Sequence, residues 1–522
     1  MLAKLNSGYL DGLSANLVEV EVSVHKGLRS FTIVGLADTA IKEAKERVSL
    51  ALKSSGLKPP HLQNSKVLIN LAPADIKKTG ALYDLPIALG FVTASEQANF
   101  NFKNKLFFGE LALDGSLKPI KGAFLFALLA KEKNYKEIIV PEQNRKEANL
   151  VNFYSNKNNS MAQPLKITGL STLTEVLLYL QGKFSPNEKS EETLIPKINE
   201  VKKQGQIEYG WIKGQQKAKK ALLIAAAGSH NLLLQGPPGA GKTLLAKSVL
   251  SILPQLEPEE VLELAKIYSL TGTLAQNQLI LEQRPFRAPH HSASASSLIG
   301  GGSPKIRPGE ITLSHRGILF LDEFPEFHRD VLEALRQPLE AGEITIQRAS
   351  QTIAFPANFT LIAAANPCPC GHLDDPQKEC TCLSSQVASY RRKLSGPLID
   401  RIDLFAFANA VKYEELVEES DNQETAEALN LVKVARKIQK QRFQNENILT
   451  NSEMQLSQIK KYCPLGRASE EILKQWVNSG KLSARSYHKI IKISRTIADL
   501  EESPSITEKH IQEALSFRKP AD

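Results

Sequence analysis

A glycine-rich segment near the middle of the chain carries the residue types that bind nucleotide phosphates. It follows the pattern GxxxxGK[ST], between an apolar strand-like run at residues 231–235 and a helix-like run at residues 244–250. In such a loop, backbone N–H groups surround the phosphate oxygens, and the next helix contributes the positive end of its dipole. The predicted phosphate loop consists of Gly236, Pro237, Pro238, Gly239, Ala240, Gly241, Lys242 and Thr243.

The groups needed for hydrolysis follow a second apolar run, residues 317–321. Asp322 would hold Mg²⁺ and Glu323 would polarise the attacking water. Lys242 would contact the β- and γ-phosphates, and the Thr243 hydroxyl would also ligate Mg²⁺. The alternative is that the two acids are merely solvated at the end of a strand, and the nearby phosphate loop argues against it. The sequence therefore predicts an ATP hydrolase that uses Mg²⁺.

Asn366 and Arg401 carry less information by spacing alone. Asn366 ends a third strand-like run, residues 359–365, where its amide could orient the attacking water. An asparagine before proline is more often a turn residue. Arg401 is a single arginine in its segment, and such a residue is usually a surface cation.

Four of the five cysteines lie in one short segment, in the pattern CxC–x9–CxC. Four thiolates on one loop can close a tetrahedral zinc site and so stabilise a loop that is too short to have a core. The alternative is four reduced loop cysteines, with the nearby His372 either a substitute ligand or a solvated side chain. The predicted zinc ligands are Cys368, Cys370, Cys380 and Cys382.

A chain of 522 residues needs more than one core to position these groups. Residues 1–180 mix strand-like and helix-like runs, and residues 181–206 have the composition of a linker. Residues 207–410 alternate strands and helices as in a parallel α/β sheet, and residues 411–522 predict a helical domain. Within the first domain, residues 38–55 predict one amphipathic helix that Asp38 or Thr39 caps and Gly56 ends.

The composition is that of an ordinary globular protein, with 42% hydrophobic and 23% charged residues. No secretory signal and no apolar run of membrane-spanning length is recognisable, so we expect a cytoplasmic protein without membrane contact. The formal net charge of +9 favours a polyanionic partner, although a solvated basic surface explains it equally well.

Several segments together resemble one known group of proteins. The phosphate loop, residues 318–323, Ala363-Ala-Ala-Asn366-Pro and Leu398-Ile-Asp-Arg401-Ile-Asp resemble the AAA+ clade of magnesium-chelatase motors and MCM helicases. Phe286-Arg-Ala-Pro-His-His-Ser, Gly300-Gly-Gly, Pro308-Gly-Glu-Ile and Asn366-Pro-Cys-Pro-Cys-Gly are similar to the ComM (YifB) family of magnesium-chelatase-like proteins. The resemblance extends over essentially the whole chain, to about Phe517.

The resemblance implies roles for isolated residues. Asn366 would be the sensor-1 residue, Arg401 an arginine finger that acts on the neighbouring subunit, and Arg485 the sensor-2 arginine of the helical lid. A finger that acts between subunits requires a ring or a filament, and the family resemblance implies a homo-hexameric ring. Gly214 and Gln215 match the segment near the adenine. Related motors have an acidic residue where this chain has Trp211, which we expect to pack in the core.

The resemblance also implies contacts with DNA. In the related helicases, two hairpins line the pore of the ring and grip the DNA backbone. Residues 284–316 and 342–355 occupy the matching positions, and the second segment alternates like a β-hairpin. Lys305 and Arg348 are the predicted DNA contacts. The alternative places Arg348 on an exposed strand without a partner role.

The N-terminal domain resembles the Lon-protease fold through Gly80-Ala-Leu-Tyr-Asp-Leu-Pro, Gly109-Glu-Leu and Val140-Pro-Glu-Gln-Asn. The Ser–Lys dyad of that protease is replaced by Leu82 and Phe124, so we expect no peptidase activity. A dyad-less domain of this kind serves as a DNA-engaging or ring-forming module in recombination ATPases. The expected fold class is therefore α/β, with an AAA+ core, a helical lid and an N-terminal α+β domain of Lon-protease-like fold.

Three functions fit these observations. The first is an ATP-driven motor on single-stranded or branched DNA, a helicase or branch-migration translocase in recombination and natural transformation. The second is a chelatase-type motor that remodels a protein partner, although simple chelatase motors lack the N-terminal domain and the cysteine cluster. The third is a scaffold that uses ATP as a switch, which Glu323 and Arg401 argue against because a switch needs neither a water base nor a finger.

Overall fold

The computed structural model describes residues 1–158, 163–186, 207–274, 283–302, 307–348, 351–373, 378–393, 398–409 and 422–518. These residues form two compact units, the first from Met1–Asn199 with Glu257–Glu282 and the second from Glu200–Leu256 with Gln283–Asp522. Most of the predicted linker, residues 187–206, lies outside the described residues. Strands and helices are numbered below along the chain.

The first unit is built on a seven-stranded mixed sheet in the order β3-β4-β2-β1-β5-β8-β9. The pairs β1–β2 and β2–β4 are antiparallel, whereas the other four pairs of this sheet are parallel. A small hairpin, β6–β7, lies outside that sheet. The strands are β1 (Leu2–Asp11), β2 (Ser14–Lys26), β3 (Ser30–Val34), β4 (Ser65–Ala72), β5 (Lys105–Phe107), β6 (Glu110–Leu111), β7 (Leu117–Lys118), β8 (Glu137–Pro141) and β9 (Lys166–Leu170).

Helices bury one face of this sheet. Val18, Val20 and Val22 alternate along β2 and are fully buried, as expected for a strand with one face on the core. The helices are α1 (Thr39–Lys42), α2 (Ala44–Ser54), α3 (Asp84–Ala94), α4 (Ala123–Glu132), α5 (Glu142–Asn158), α6 (Leu173–Leu180) and, from later in the chain, α9 (Pro258–Thr271). This mixed α/β unit agrees with the predicted class, and its likeness to the Lon-protease fold stays a prediction.

The single helix predicted at residues 38–55 is wrong, because the segment forms α1 and α2 with a break at Glu43. Asp38 caps α1 as predicted, since its side chain accepts a hydrogen bond from Ile41 N at 2.9 Å. The Arg47 guanidinium donates to the Ala40 carbonyl at 2.7 Å. That carbonyl would accept from the amide four residues later in a continuous helix, so the side chain replaces a helical hydrogen bond.

The second unit contains a five-stranded parallel sheet in the order β11-β14-β17-β10-β18. Every residue of β14 and β17 is buried, as in parallel sheets that are covered on both faces. The carboxyl ends of β10, β14 and β17 lie at one edge and lead into the phosphate loop, Asp322 and Asn366. The strands are β10 (Leu232–Gln235), β11 (Phe286–Arg287), β14 (Ile318–Leu321), β17 (Thr360–Ala365) and β18 (Leu404–Phe407).

Two antiparallel pairs occupy the segments that match pore hairpins. They are β12 (Gly300–Gly301) with β13 (Arg307–Pro308), and β15 (Glu343–Arg348) with β16 (Gln351–Pro356). The predicted hairpin at residues 342–355 is therefore present. The helices of this part are α7 (Gln216–Gly228), α8 (Lys242–Ile252), α10 (Ala295–Ile299), α11 (Glu310–Leu313), α12 (Arg329–Ala334), α13 (Arg336–Ala341) and α14 (Ser384–Lys393).

Residues 422–518 form a helical lid within the second unit. Its apolar side chains continue the core that begins on the sheet, for example Ile490, Ile493 and Ile497 on one face of α18. No helix among the described residues is both long and apolar enough to cross a bilayer. The lid helices are α15 (Asn422–Arg442), α16 (Leu456–Tyr462), α17 (Arg467–Asn478), α18 (Ala484–Leu500) and α19 (Glu508–Ser516).

Candidate active site

The phosphate loop connects β10 to α8, which begins at Lys242. The Lys242 ammonium donates to the carbonyls of Gly236 at 2.7 Å and Pro237 at 2.9 Å, and to Asn366 Oδ1 at 2.9 Å. Burial lowers the pKa of Lys242, whereas the negative charges of Asp322 and Glu323 act in the opposite direction. The ammonium therefore lies over the loop, where a phosphate would meet it.

An oxygen pair next to the loop has the chemistry of a magnesium site. Thr243 Oγ1 donates to Asp322 Oδ2 at 2.6 Å, and the other Asp322 oxygen accepts from the Glu323 amide at 2.9 Å. Hydroxyl and carboxylate oxygens are the protein ligands that phosphate-bound Mg²⁺ uses in P-loop enzymes. The residues present therefore fit a Mg²⁺–nucleotide complex.

Glu323 adopts the left-handed backbone region, with a φ of +50°. This conformation is uncommon outside glycine and asparagine and often marks a functional position. The Glu323 side chain is half-exposed, and its Oε2 lies 3.2 Å from Nδ1 of His291. Sequence reasoning assigned no role to His291, although it lies in the segment that carries the family resemblance.

Arg401 and Arg485 both contact Glu340, a residue that belongs to none of the sequence motifs. The guanidinium groups of Arg401 and Arg485 lie 2.6 and 2.5 Å from Oε1 of Glu340. The hydrogen bond from Arg401 and the charges of both arginines lower the pKa of Glu340. The site residues thus form two groups, one around Lys242 and Asp322 and the other around Glu340.

The segment predicted near the adenine is held by a glutamine side chain. Gln215 Oε1 accepts from Asn409 N at 3.0 Å, and its Nε2 donates to the Ala240 carbonyl at 3.2 Å. The core position expected for Trp211 is wrong, since the residue is 48% exposed. Tyr209 takes the buried place instead and has the Lys219 ammonium over its ring.

The four clustered cysteines converge. Their Sγ atoms all lie within 4.8 Å of one another, and Cys368 is 3.4 Å from Cys370 and 3.7 Å from Cys380. Zn–S bonds of about 2.3 Å place the sulfurs of a tetrahedral site about 3.8 Å apart, so the cluster fits zinc. Within the cluster, a hydrogen bond from the His372 backbone lowers the pKa of Cys370 to about 5. The pKa of Cys380 is raised to about 12, because the hydrogen bond from the Cys382 backbone, which lowers it, is outweighed by burial and by hydrogen bonds with Cys370 and Cys368.

The cysteine segment packs directly on the phosphate loop. Gly371 lies so close to Pro238 that a Cβ at residue 371 would be 2.4 Å from the proline Cδ. Only glycine fits this approach. The candidate metal site and the candidate nucleotide site are therefore in direct contact.

The predicted DNA contacts are described only in part. Lys305 lies outside the described residues. Arg348 is the last residue of β15 and pairs with Gln351, the first residue of β16. The positions of the missing protease dyad lie in the first unit, where Leu82 belongs to a 3₁₀ turn and Phe124 is buried in α4.

Three family models match the chain. The description "Magnesium chelatase, subunit ChlI" covers residues 209–416, and "Magnesium chelatase, subunit ChlI C-terminal" covers residues 422–518. "Subunit ChlI of Mg-chelatase" covers residues 20–144. The matched ranges include every described residue of the nucleotide site, the cysteine cluster and the lid.

Individual relatives match almost the entire chain. Competence protein ComM of Haemophilus influenzae is 42% identical over 521 residues, which cover 97% of this chain and 95% of that protein. YifB of Escherichia coli is 39% identical over 510 residues, with the same coverage of 97% and 95%. The magnesium-chelatase 38 kDa subunit of Rhodobacter capsulatus is 24% identical over 189 residues, 33% of this chain and 54% of that protein.

Proposed function

Because the chain belongs to the ComM (YifB) family of magnesium-chelatase-like AAA+ proteins, we propose that it is an ATP-driven, ring-shaped DNA motor. Its action is that of a helicase or branch-migration translocase on single-stranded or branched DNA, in recombination and natural transformation. The name of the H. influenzae relative, a competence protein, supports this setting. The net charge of +9 is consistent with a polyanionic partner.

One observation carries the hydrolase part of the proposal, namely the connected set of Lys242, Thr243, Asp322 and Asn366. Lys242 and the start of α8 bind the phosphates, and Thr243 with Asp322 holds the metal ion. Mg²⁺, when bound, neutralises charge on the phosphates. Glu323 accepts a proton from the attacking water, and the Asn366 amide orients that water.

Assembly follows from the second group of residues. Arg401 stabilises charge on the phosphoryl group bound by the neighbouring subunit, and Arg485 contacts the nucleotide from the lid. A site completed by the next copy of the chain requires a ring or a filament, and the family resemblance favours a homo-hexameric ring. The β15–β16 hairpin, through Arg348 at the end of β15, and Lys305 grip the DNA backbone. Zinc, held by the four cysteines, stabilises the segment that packs on the phosphate loop.

Strand displacement tests this function. Purified protein should unwind a forked duplex and move a four-way junction with ATP and Mg²⁺, but not with a non-hydrolysable ATP analogue. Glu323→Gln should bind the same DNA without displacing strands. A wild-type protein that hydrolyses ATP but moves no strand of any DNA would contradict the proposal.

A second candidate function is suggested by the family models, which describe a chelatase subunit over residues 209–416 and 422–518. A chelatase-type motor would use the same hydrolysis to remodel a protein partner. Such a motor would hydrolyse ATP at a rate that DNA does not change. The effect of DNA on hydrolysis therefore separates the two candidates.

A further inference from the structure

Two arginines from separate motifs share one carboxylate oxygen. Arg401 ends a 3₁₀ turn before β18, and Arg485 lies in the first turn of the lid helix α18. Both contact Oε1 of Glu340, at 2.6 and 2.5 Å. Two guanidinium groups this close repel each other unless an anion lies between them. Glu340 therefore holds the pair together.

The backbone around Arg401 is tied to the sheet and to the lid. The Asn231 side chain, at the start of β10, donates to the Arg401 carbonyl at 3.2 Å. Lys489 lies one helical turn after Arg485 and pairs with Asp403 at 3.0 Å. The finger segment and α18 thus have fixed backbones, and Glu340 is the contact that joins their two arginine heads.

Glu340 itself lies next to the hairpin. It is the penultimate residue of α13, and β15 begins only two residues after that helix ends. The connecting Gly342, with a φ of +67°, donates to the Pro338 carbonyl at 2.9 Å. A Cβ at residue 342 would lie 2.1 Å from Asn358 Oδ1. The connection is therefore short and tightly packed, so a shift of the hairpin displaces Glu340.

We propose that Glu340 is a positioning residue that transmits DNA contact at the β15–β16 hairpin to Arg401 and Arg485. The Glu340 carboxylate neutralises one of the two guanidinium charges, so the group of three side chains keeps a net positive charge. This charge is complementary to a phosphate of the neighbouring subunit's nucleotide. Hairpin movement then sets both arginines at once. The inference rests on the proposed function, in which Arg401 acts between subunits, and adds that Arg485, held on the same carboxylate oxygen, acts on the same nucleotide.

The first test compares Glu340→Gln with wild type. We expect ATP binding and the KM for ATP to stay within about twofold, because Lys242 and Asp322 are unchanged. The kcat with DNA should fall about tenfold or more, a part of the large contribution that arginine fingers make. Glu340→Asp keeps the charge and should recover part of the loss.

Glu333→Gln is the matched control. Glu333 also contacts two arginines, Arg329 at 3.0 Å and Arg336 at 3.8 Å, but this cluster lies on exposed surface. The control changes the net charge equally and should leave kcat unchanged. Equal kcat in Glu340→Gln and wild type, or a raised KM with unchanged kcat, would overturn the proposal.

A mixture of variants tests whether the defect lies between subunits. Glu340→Gln keeps its own phosphate loop and Glu323, whereas Glu323→Gln keeps its arginines. Mixed rings should hydrolyse ATP faster than either variant alone, and an unrestored rate would show that Glu340 serves only its own subunit. If Glu340→Gln does not fold, Glu340→Asp takes its place. The mixture is read with DNA and without it; because Arg401 and Arg485 need Glu340 in both conditions, failure of the DNA-motor function in wild type leaves the reading without DNA intact.

Discussion

At the residue scale, the roles proposed for Lys242 and Glu323 belong to different steps of the reaction. Lys242 donates to groups of the phosphate loop, so Lys242→Ala should abolish nucleotide binding. Glu323 lies outside the Thr243–Asp322 pair that is proposed to hold magnesium, so Glu323→Gln should bind ATP normally while kcat falls about 10²- to 10⁴-fold, the usual value of a general base. Equilibrium binding of a fluorescent ATP analogue and phosphate release measure the two effects. Normal hydrolysis by Glu323→Gln would assign the base to another residue.

Among the candidate site residues, the sequence readily revealed those that stand in a local pattern. Lys242, Thr243 and Asp322 each follow a strand within a short motif, and the structure brings them together. Glu340 could not be found in this way, because its two partners are about 60 and 145 residues away along the chain. The prediction for Trp211 failed for a similar reason, because the spacing of the residues did not show that Tyr209, and not Trp211, is buried in the core.

At the element scale, the segment that carries the four cysteines packs on the phosphate loop. Purified protein should contain one zinc ion per chain, and Cys380→Ser/Cys382→Ser should lose it. The variant should have a lower Tm and weaker ATP binding, because Gly371 packs on Pro238. Metal analysis and nucleotide titration measure both, with the separate buried Cys463→Ala as the control that keeps the metal. Unchanged ATP affinity in the metal-free variant would contradict this coupling.

A buried histidine joins the lid to the sheet. His230, between α7 and β10, bonds Thr496 of α18 at 2.7 Å. Burial lowers its pKa from 6.5 to about 4; Asp403 opposes this shift, whereas Lys492, Arg436 and Lys489 add to it. His230 is therefore protonated at a higher pH in the unfolded chain than in the folded chain. For this reason the free energy of unfolding falls as the pH drops from about 6.5 to about 4.

This loss amounts to roughly 3 kcal/mol over the whole window. His230→Gln should remove that part of the pH dependence, whereas the exposed His328→Gln should keep it. Urea unfolding at several pH values between 4.5 and 7.5 measures the difference. An identical slope in His230→Gln and wild type would show that the histidine is not the titrating group.

Prediction at the element scale succeeded where apolar runs bound the strands. The runs before the phosphate loop, Asp322 and Asn366 became β10, β14 and β17, because consecutive buried residues suit a parallel sheet. Residues 38–55 had equally clear helical spacing, yet Arg47 captures the Ala40 carbonyl and divides the helix. A side chain that replaces a backbone hydrogen bond leaves no trace in hydrophobic periodicity.

At the scale of the whole molecule, the proposed ring links the nucleotide site of one copy of the chain to the arginines of the next copy. The sequence predicted an α/β core and a helical lid, and the family match extends over 97% of the chain. The grouping of residues 257–282 with the first unit had no signal in composition or spacing. A helix that leaves its neighbours in the sequence to join a distant core is decided by tertiary packing alone.

The most direct test of the central claim is the rate of ATP hydrolysis with and without DNA. Wild-type protein should hydrolyse ATP several times faster with single-stranded or branched DNA, and Glu323→Gln should be inactive under both conditions. Slow hydrolysis that no DNA changes would contradict the DNA motor and favour a motor that remodels a protein partner.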